Sequence, residues 1–154
     1  MKITSVTALV LRLSDVTAAC DGTQDTCLIR IDTDEGITGW GEVDSAPTVV
    51  AAVIEAPLSH QIANGLANAL IGLDALALDA CMAAMERAAN YYGRTGVGSH
   101  AMSGVNLALW DIVTRESPDL LFFVPFNDEI NPRVLDRITR ETATVTAAWF
   151  CDDH

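Results

Sequence analysis

Glu42 ends the stretch "GITGWGEV" at residues 36–43, and a lone carboxylate closing a strand has three chemistries open to it: general acid, metal ligand or structural hydrogen-bond acceptor. Its co-workers are few. The single lysine, Lys2, sits at the N-terminus, which leaves no lysine for a buried base or a Schiff base. His60, His100 and His154 are not spaced as a metal-binding pair on one helix, and each has the ordinary role of a polar surface side chain to weigh against ligand contact. Glu42, Asp44 and His100 are the acid–base candidates, and their positions along the chain do not by themselves converge. The closing "CDDH" holds ligand-type residues on a terminus that supplies no geometry.

Two glycine patterns invite a phosphate-binding reading and do not support it. "GRTGVG" reverses the dinucleotide spacing and lacks both the preceding strand and the following acidic residue. "GITGWG" runs through a strand instead of passing from strand into helix. No Gly-Lys-Ser/Thr run exists for a nucleotide loop, and Ser45, Ser99 and Ser103 have no nucleophile-elbow context. Cys20, Cys27, Cys81 and Cys151 form no Cys-x-x-Cys pair, so they read as reduced thiols of a cytoplasmic protein instead of a zinc site or disulfide framework.

Positioning these residues falls to a chain of 154 residues, half of them apolar, which is enough for one globular domain. A formal charge of −12 with nine basic residues opposes nucleic acid and anionic membrane as partners. The N-terminal "MKITSVTALVLRL" has the basic-then-apolar order of a leader, but Arg12 and Asp15 break the apolar stretch before Cys20, which argues against secretion. No apolar run approaches the roughly 20 residues of a membrane-spanning helix.

Residues 2–13 and the alternating "TCLIRID" predict two strands, and a turn at Asp34, Glu35 and Gly36 predicts a third leaving it, giving an antiparallel meander. The period then changes. Ser45 is the expected cap and Pro47 the first turn of a helix with Val49, Val53 and Ala56 on one face, ending at Pro57. A weaker helix is expected over residues 60–71 before Gly72, and a third, capped by Asp74, over "DALALDACMAAMERAAN". A fourth, "SHAMSGVNLALWDIV", places Ala101, Val105, Ala108 and Ile112 on one face. The fold class is α+β, a three-stranded antiparallel meander followed by a helical bundle.

Beyond residue 113 the composition shifts. All ten glycines precede Asn106, all four phenylalanines follow Val113, and three of the five prolines lie in residues 117–132. The expected organisation is a domain over 1–113 and a divergent tail over 114–154, in which "NPRVLDRITRE" reads as a short helix and "TATVTAAWF" as a strand. Two origins fit such a shift: a separate segment packing "LLFFVPF" on the domain, or foreign sequence from a reading-frame change near codon 114.

"GITGWGE" and "YYGRTGVGSHAMSGVNLALWDI", in this order and separation, resemble the N-terminal capping domain of the mandelate racemase and muconate-lactonizing branch of the enolase superfamily. The match rests on Gly39, Trp40, Gly41 and Glu42, and on Ala108, Leu109, Trp110 and Asp111, within a resemblance running from Lys2 to about Val113. The "YYGR" and "SHAMSG" segments look most like members acting on acid sugars, dehydratases or cycloisomerases. The resemblance implies that Glu42 and Asp111 are structural, tying capping domain to barrel. It also implies that loops at about 14–24 and 43–47 lie over the active site, with Asp21, Gln24, Asp44 and Ser45 as candidates for substrate contact or, failing that, solvated turn residues.

The family's chemistry abstracts a proton beside a carboxylate, with magnesium held by three carboxylates and with Lys or His bases on a (β/α)8 barrel. Such a barrel takes about 250 residues, and "TRESPDLLFFVPF" departs from the Gly-Lys and Pro-Val-Leu-Leu-Gly-Gly stretches expected where its first strand approaches. No barrel, catalytic residue, metal ligand or cofactor is therefore expected in this chain. Three readings follow: a truncated acid-sugar dehydratase or isomerase homologue, inactive alone; a repurposed binding or dimerisation module; and a small independent enzyme using Glu42, Asp44 or His100, the least supported. A capping domain without its barrel exposes apolar surface, so self-association is expected.

Overall fold

A computed structural model describes residues 1–18, 24–44, 46–60 and 63–116, together with the backbone of 120–123 and 145–148. The apolar alternation of "TCLIRID" becomes strand β2 (Asp25–Thr33), whose Cys27, Ile29 and Ile31 are fully buried while Arg30 is exposed. It is the central strand of an antiparallel sheet, flanked by β1 (Ile3–Arg12) and β3 (Thr38–Val43). Ile29 stands opposite Ala8 on one side and Gly41 on the other. The expected turn between β2 and β3 is present, with Gly36 at φ 82°, a conformation L-residues rarely adopt. Thr33 is buried there with its hydroxyl satisfied: it donates to the Ile37 carbonyl at 2.9 Å and accepts from the Ile37 N–H at 3.1 Å.

Four helices follow: α1 (Pro47–Glu55), α2 (Leu66–Leu70), α3 (Leu78–Ala88) and α4 (Val97–Glu116). Pro47 opens α1 as expected, but its buried face carries Pro47, Val50, Val53 and Ile54, whereas Val49 is 51% exposed. Val53 is thus buried as expected, while Val50 and Ile54 take the places expected of Val49 and Ala56. The helix expected over 60–71 is reduced to five residues. Gly65 precedes it with extended backbone, packed so closely that a side chain would overlap the Ala56 carbonyl, and His60 instead bridges to Ala63. Asp74 does not cap α3; its carboxylate accepts from the Leu76 N–H at 3.2 Å, a local turn, and Ala77 occupies the cap position. α4 is as expected, with Ala101, Val105, Ala108 and Ile112 all fully buried. One core joins these elements: Ile29, Ile31, Val50, Ile54, Leu66, Leu70, Met85, Leu109 and Ile112 are among its fully buried members.

Helix α4 lies against β3 at backbone contact distance. A Cβ on Gly39 would overlap the Ala108 carbonyl oxygen, and one on Gly41 the Gly104 carbonyl oxygen. Gly39 and Gly41 share the inner face because strand side chains alternate, so the pair forms a flat track for the helix. Asp111, one turn beyond Ala108, accepts the Trp40 N–H at 2.9 Å and so satisfies a donor on the outer edge of β3.

The chain divides into two compact units, Met1–Ile112 and Val113–His154. Within the second, β4 (Leu120–Phe123) and β5 (Val145–Ala148) pair in parallel. The strand read in "TATVTAAWF" is thus present. β4 was not anticipated, although a short continuous apolar run is the pattern of parallel strands. The helix read in "NPRVLDRITRE" lies outside the described residues. The described residues include no closed barrel, and none of their helices is long and apolar enough to cross a membrane.

The contact at Gly41 generates a graded expectation. Gly41→Ala sets a methyl against backbone atoms that cannot rotate away, so unfolding by denaturant should show a loss of about 2–3 kcal/mol. Gly104→Ala meets mainly side-chain atoms of Val43 and Ile29, which can shift, and should cost less than half as much.

Candidate functional site

The structure brings together three residues that the sequence leaves apart. Glu42 and Asp44 lie at the C-terminal end of β3, His100 and Ser103 on the first turns of α4, and with Val43 and Leu107 they line an open depression of about 440 Å³. The close approach of strand and helix at Gly41 and Gly104 sets these two walls side by side. His100, Ser103 and Leu107 recur at spacings of three and four, one face of a helix, which is the signal that would have found Ser103 and Leu107 in the sequence.

Glu42 accepts the Thr26 hydroxyl at 2.8 Å from the neighbouring strand, and Asp111 accepts the Trp40 N–H. Glu42 therefore answers first to the structural reading of a strand-end carboxylate. Asp44 and His100 are exposed, and the depression offers hydrogen-bond acceptors and donors to a polar ligand. Among the described residues no group of three or more His, Cys, Asp or Glu side chains could hold a metal ion.

Of the other substrate-contact candidates, Gln24 is engaged within its own loop. Its amide donates to the Thr17 carbonyl and accepts from the Thr17 N–H, both at 2.8 Å, clamping the base of the loop that joins β1 to β2. Asp21 and Ser45 lie outside the described residues. Beside Ser45, Ala46 occupies the cap position of α1 in the left-handed region, at φ 48° and ψ 55°, with no side-chain cap. The Ser45 cap expected from sequence is thus replaced by a strained residue in the loop over 43–47.

The glycines of "GRTGVG" serve the α3–α4 turn instead of a phosphate: Gly93 and Gly96 have φ of 89° and 58°. Tyr92, its hydroxyl raised in pKa by burial, donates to the Asn64 carbonyl at 2.7 Å and ties this turn down. Cys27 and Cys81 are free and buried, and burial raises both thiols, which makes them poor nucleophiles. The outer face of the sheet carries a network that the sequence did not reveal. Asp32 accepts from Thr38 at 2.7 Å, Ser5 at 2.9 Å and the Arg30 guanidinium at 2.9 Å, and Arg30 lies 5.8 Å from the Trp40 ring centroid. These hydroxyl donors, led by Thr38, lower the Asp32 pKa.

Comparison with known proteins places this geometry. Residues 4–119 match the N-terminal domain of the mandelate racemase / muconate lactonizing enzyme family. The chain is 34% identical over 113 residues to a D-galactonate dehydratase of Variovorax paradoxus, covering 71% of this chain and 25% of that protein. It is 33% identical over 85 residues to a D-galactarolactone cycloisomerase of Agrobacterium fabrum, covering 55% of this chain and 20% of that one. It therefore spans about a quarter or less of these relatives' length. An enolase-superfamily structure from Polaromonas superposes over 77% of this chain and 31% of its own, with a TM-score of 0.58 and 30% identity. A racemase from Streptomyces coelicolor with bound magnesium shares the fold, with a TM-score of 0.59 and 24% identity over 90% of this chain and 44% of its own.

Two outcomes follow from this geometry. Because the Asp32 pKa is depressed by folding, the carboxylate stabilises the fold fully above the ordinary aspartate value of about 3.9, and the contribution fades as pH falls through the lower folded-state value. Asp32→Asn should lower stability at neutral pH and flatten the fall in thermal midpoint between about pH 4 and pH 2. At Ala46 the left-handed backbone costs an L-residue about 1–2 kcal/mol, and the extra chain entropy of glycine offsets about 0.5–1 of that. Ala46→Gly should accordingly stabilise by about 0.5–1 kcal/mol in denaturant unfolding.

Proposed function

Because the chain belongs to the mandelate racemase / muconate lactonizing enzyme family through that family's N-terminal domain, we propose that it is the substrate-capping part of an acid-sugar dehydratase or isomerase. In this reading the loops over 14–24 and 43–47 read the hydroxyl pattern of a polyhydroxy acid, with Asp21, Gln24, Asp44 and Ser45 as the contacts. The observation that carries it is the match to a D-galactonate dehydratase over 113 residues, which includes both loops within the matched family range. The exposed polar end of β3 and the strained Ala46 in the same loop support it.

The 154-residue chain alone is inactive in this proposal. Magnesium in this family stabilises the charge formed when a proton leaves the carbon beside a carboxylate. The described residues do not fit such an ion, since they gather no cluster of metal-ligating side chains. Nor do they supply a desolvated base: Lys2, the one lysine, is at the N-terminus, and His100 is exposed. The charge of −12 supports a partner that is neither nucleic acid nor anionic membrane, and the unpaired Cys27 and Cys81 fit a reducing cytoplasm. A binding or dimerisation module is the second reading, favoured by exposed Leu9, Leu11 and Leu13 on the β1 side of the sheet.

Two measurements test the proposal. Loops 14–24 and 43–47 transplanted into the Variovorax D-galactonate dehydratase should alter its relative kcat/KM across a panel of sugar acids, and an unchanged ranking counts against the capping role. The isolated chain should release no dehydrated keto-acid product from any panel member; turnover that rises with added magnesium overturns the reading of inactivity.

A further inference from the structure

Strand β1 is an edge strand, since it pairs only with β2. The first part of its free edge is covered. Ile3 exchanges backbone hydrogen bonds with Leu73 and Gly72, at 2.9 and 2.8 Å, and the Ala8 N–H donates to the Glu55 carboxylate at 2.9 Å. The second part is not. The Leu13 N–H turns inward to the Gln24 carbonyl at 2.9 Å, whereas the Ala8 N–H turns outward, so the two-residue period sends the N–H groups of Val10 and Arg12 outward as well. Among the described residues nothing accepts from either.

This open edge is also apolar. Leu9, Val10, Leu11 and Leu13 are all exposed, Leu11 at 51% and Leu13 at 60%. The run "VTALVL" before Arg12 has none of the prolines, charges or bulges that keep edge strands from pairing. Covering such an edge calls for another extended strand of matching pattern.

We propose that a second copy of this chain pairs with it: β1 joins its counterpart antiparallel about a two-fold axis at Val10, making one six-stranded sheet across the dimer. Charge complementarity selects this occupant and this register. An axis at Val10 sets Ala8 opposite Arg12 of the other copy, whose carbonyl takes over the Ala8 N–H and so frees the Glu55 carboxylate, already at this edge, for that residue's guanidinium. Arg12 lies on the same sheet face as Ala8, four residues along, and its ionic partner among the described residues is Asp25 at a loose 3.5 Å. Each Arg12 thus meets the Glu55 of the other copy, twice by symmetry, as a two-fold interface requires. The charge of −12 opposes association over long range, but at physiological salt that repulsion is screened within about 8 Å. This inference concerns assembly and stands apart from the proposed activity.

Sedimentation velocity of the purified 154-residue chain over about 1–100 µM should show a concentration-dependent monomer–dimer equilibrium. Val10→Pro deletes the central donor yet is tolerated where the N–H faces solvent, so it should give monomers with an unchanged circular dichroism spectrum. Arg12→Glu and Glu55→Arg should each weaken the dimer by about tenfold or more through facing like charges. Mixing those two variants should restore association as a heterodimer, because both cross-contacts then pair opposite charges; a misfolded variant could not be rescued this way. A chain that stays monomeric throughout overturns the proposal. So does a dimer indifferent to Val10→Pro and to the charge exchange.

Discussion

Gly39 and Gly41 set the distance between the edge of the sheet and helix α4. With any side chain on their inner face, the carbonyl oxygens of Ala108 and Gly104 could not lie where they do. The helix would then stand off by roughly the width of a methyl group or more, and Val105, Ala108, Leu109 and Ile112 would lose their fit over Ile29 and Ile31. The same approach lets Asp111 reach the Trp40 N–H, closing part of an edge that would otherwise be open to pairing. Sequence motif, packing and edge protection are therefore one arrangement.

That arrangement also determines what kind of surface the domain presents. Side-chain-free contact between β3 and α4 leaves the end of β3 shallow, so Glu42, Asp44 and His100 meet as an open polar depression and not as a sealed cleft. Exposed carboxylates and imidazoles make good acceptors and donors for hydroxyl groups. Such a surface suits recognition of a polar ligand, as the proposed capping role requires. The two sheet edges contrast in the same terms: β3 is guarded by Asp111, whereas β1 is guarded only as far as Glu55 reaches.

The architecture was largely legible in the sequence because period is a local property. The alternation of Cys27, Ile29 and Ile31 fixed β2, Gly36 fixed the turn, and the spacing of Ala101, Val105, Ala108 and Ile112 fixed α4. Where local rules failed, a tertiary contact had overruled them. Gly65 is pressed against Ala56, which shortens α2; Asp74 turns to Leu76 and to the Met1 amine, 3.5 Å away, instead of capping α3. Val49 yields the buried face to Ile54 because the sheet, absent from any helical wheel, decides which side of α1 is inside.

The sequence by itself determined the strand-then-helix order and carried, in Gly39 to Glu42 and Ala108 to Asp111, the residues on which the family resemblance was read. Only the tertiary structure decided what those residues do. Trp40 and Asp111 are 71 positions apart, and no rule of spacing says that one N–H will meet the other's carboxylate. Nor does any such rule gather Glu42, Asp44 and His100 around one depression, or leave the outward N–H groups of Val10 and Arg12 without an acceptor among the described residues. The reason is physical: periodicity records which face of an element is buried, while the partner of a polar group depends on how closely two elements approach, and that distance is set by contacts distant in the chain.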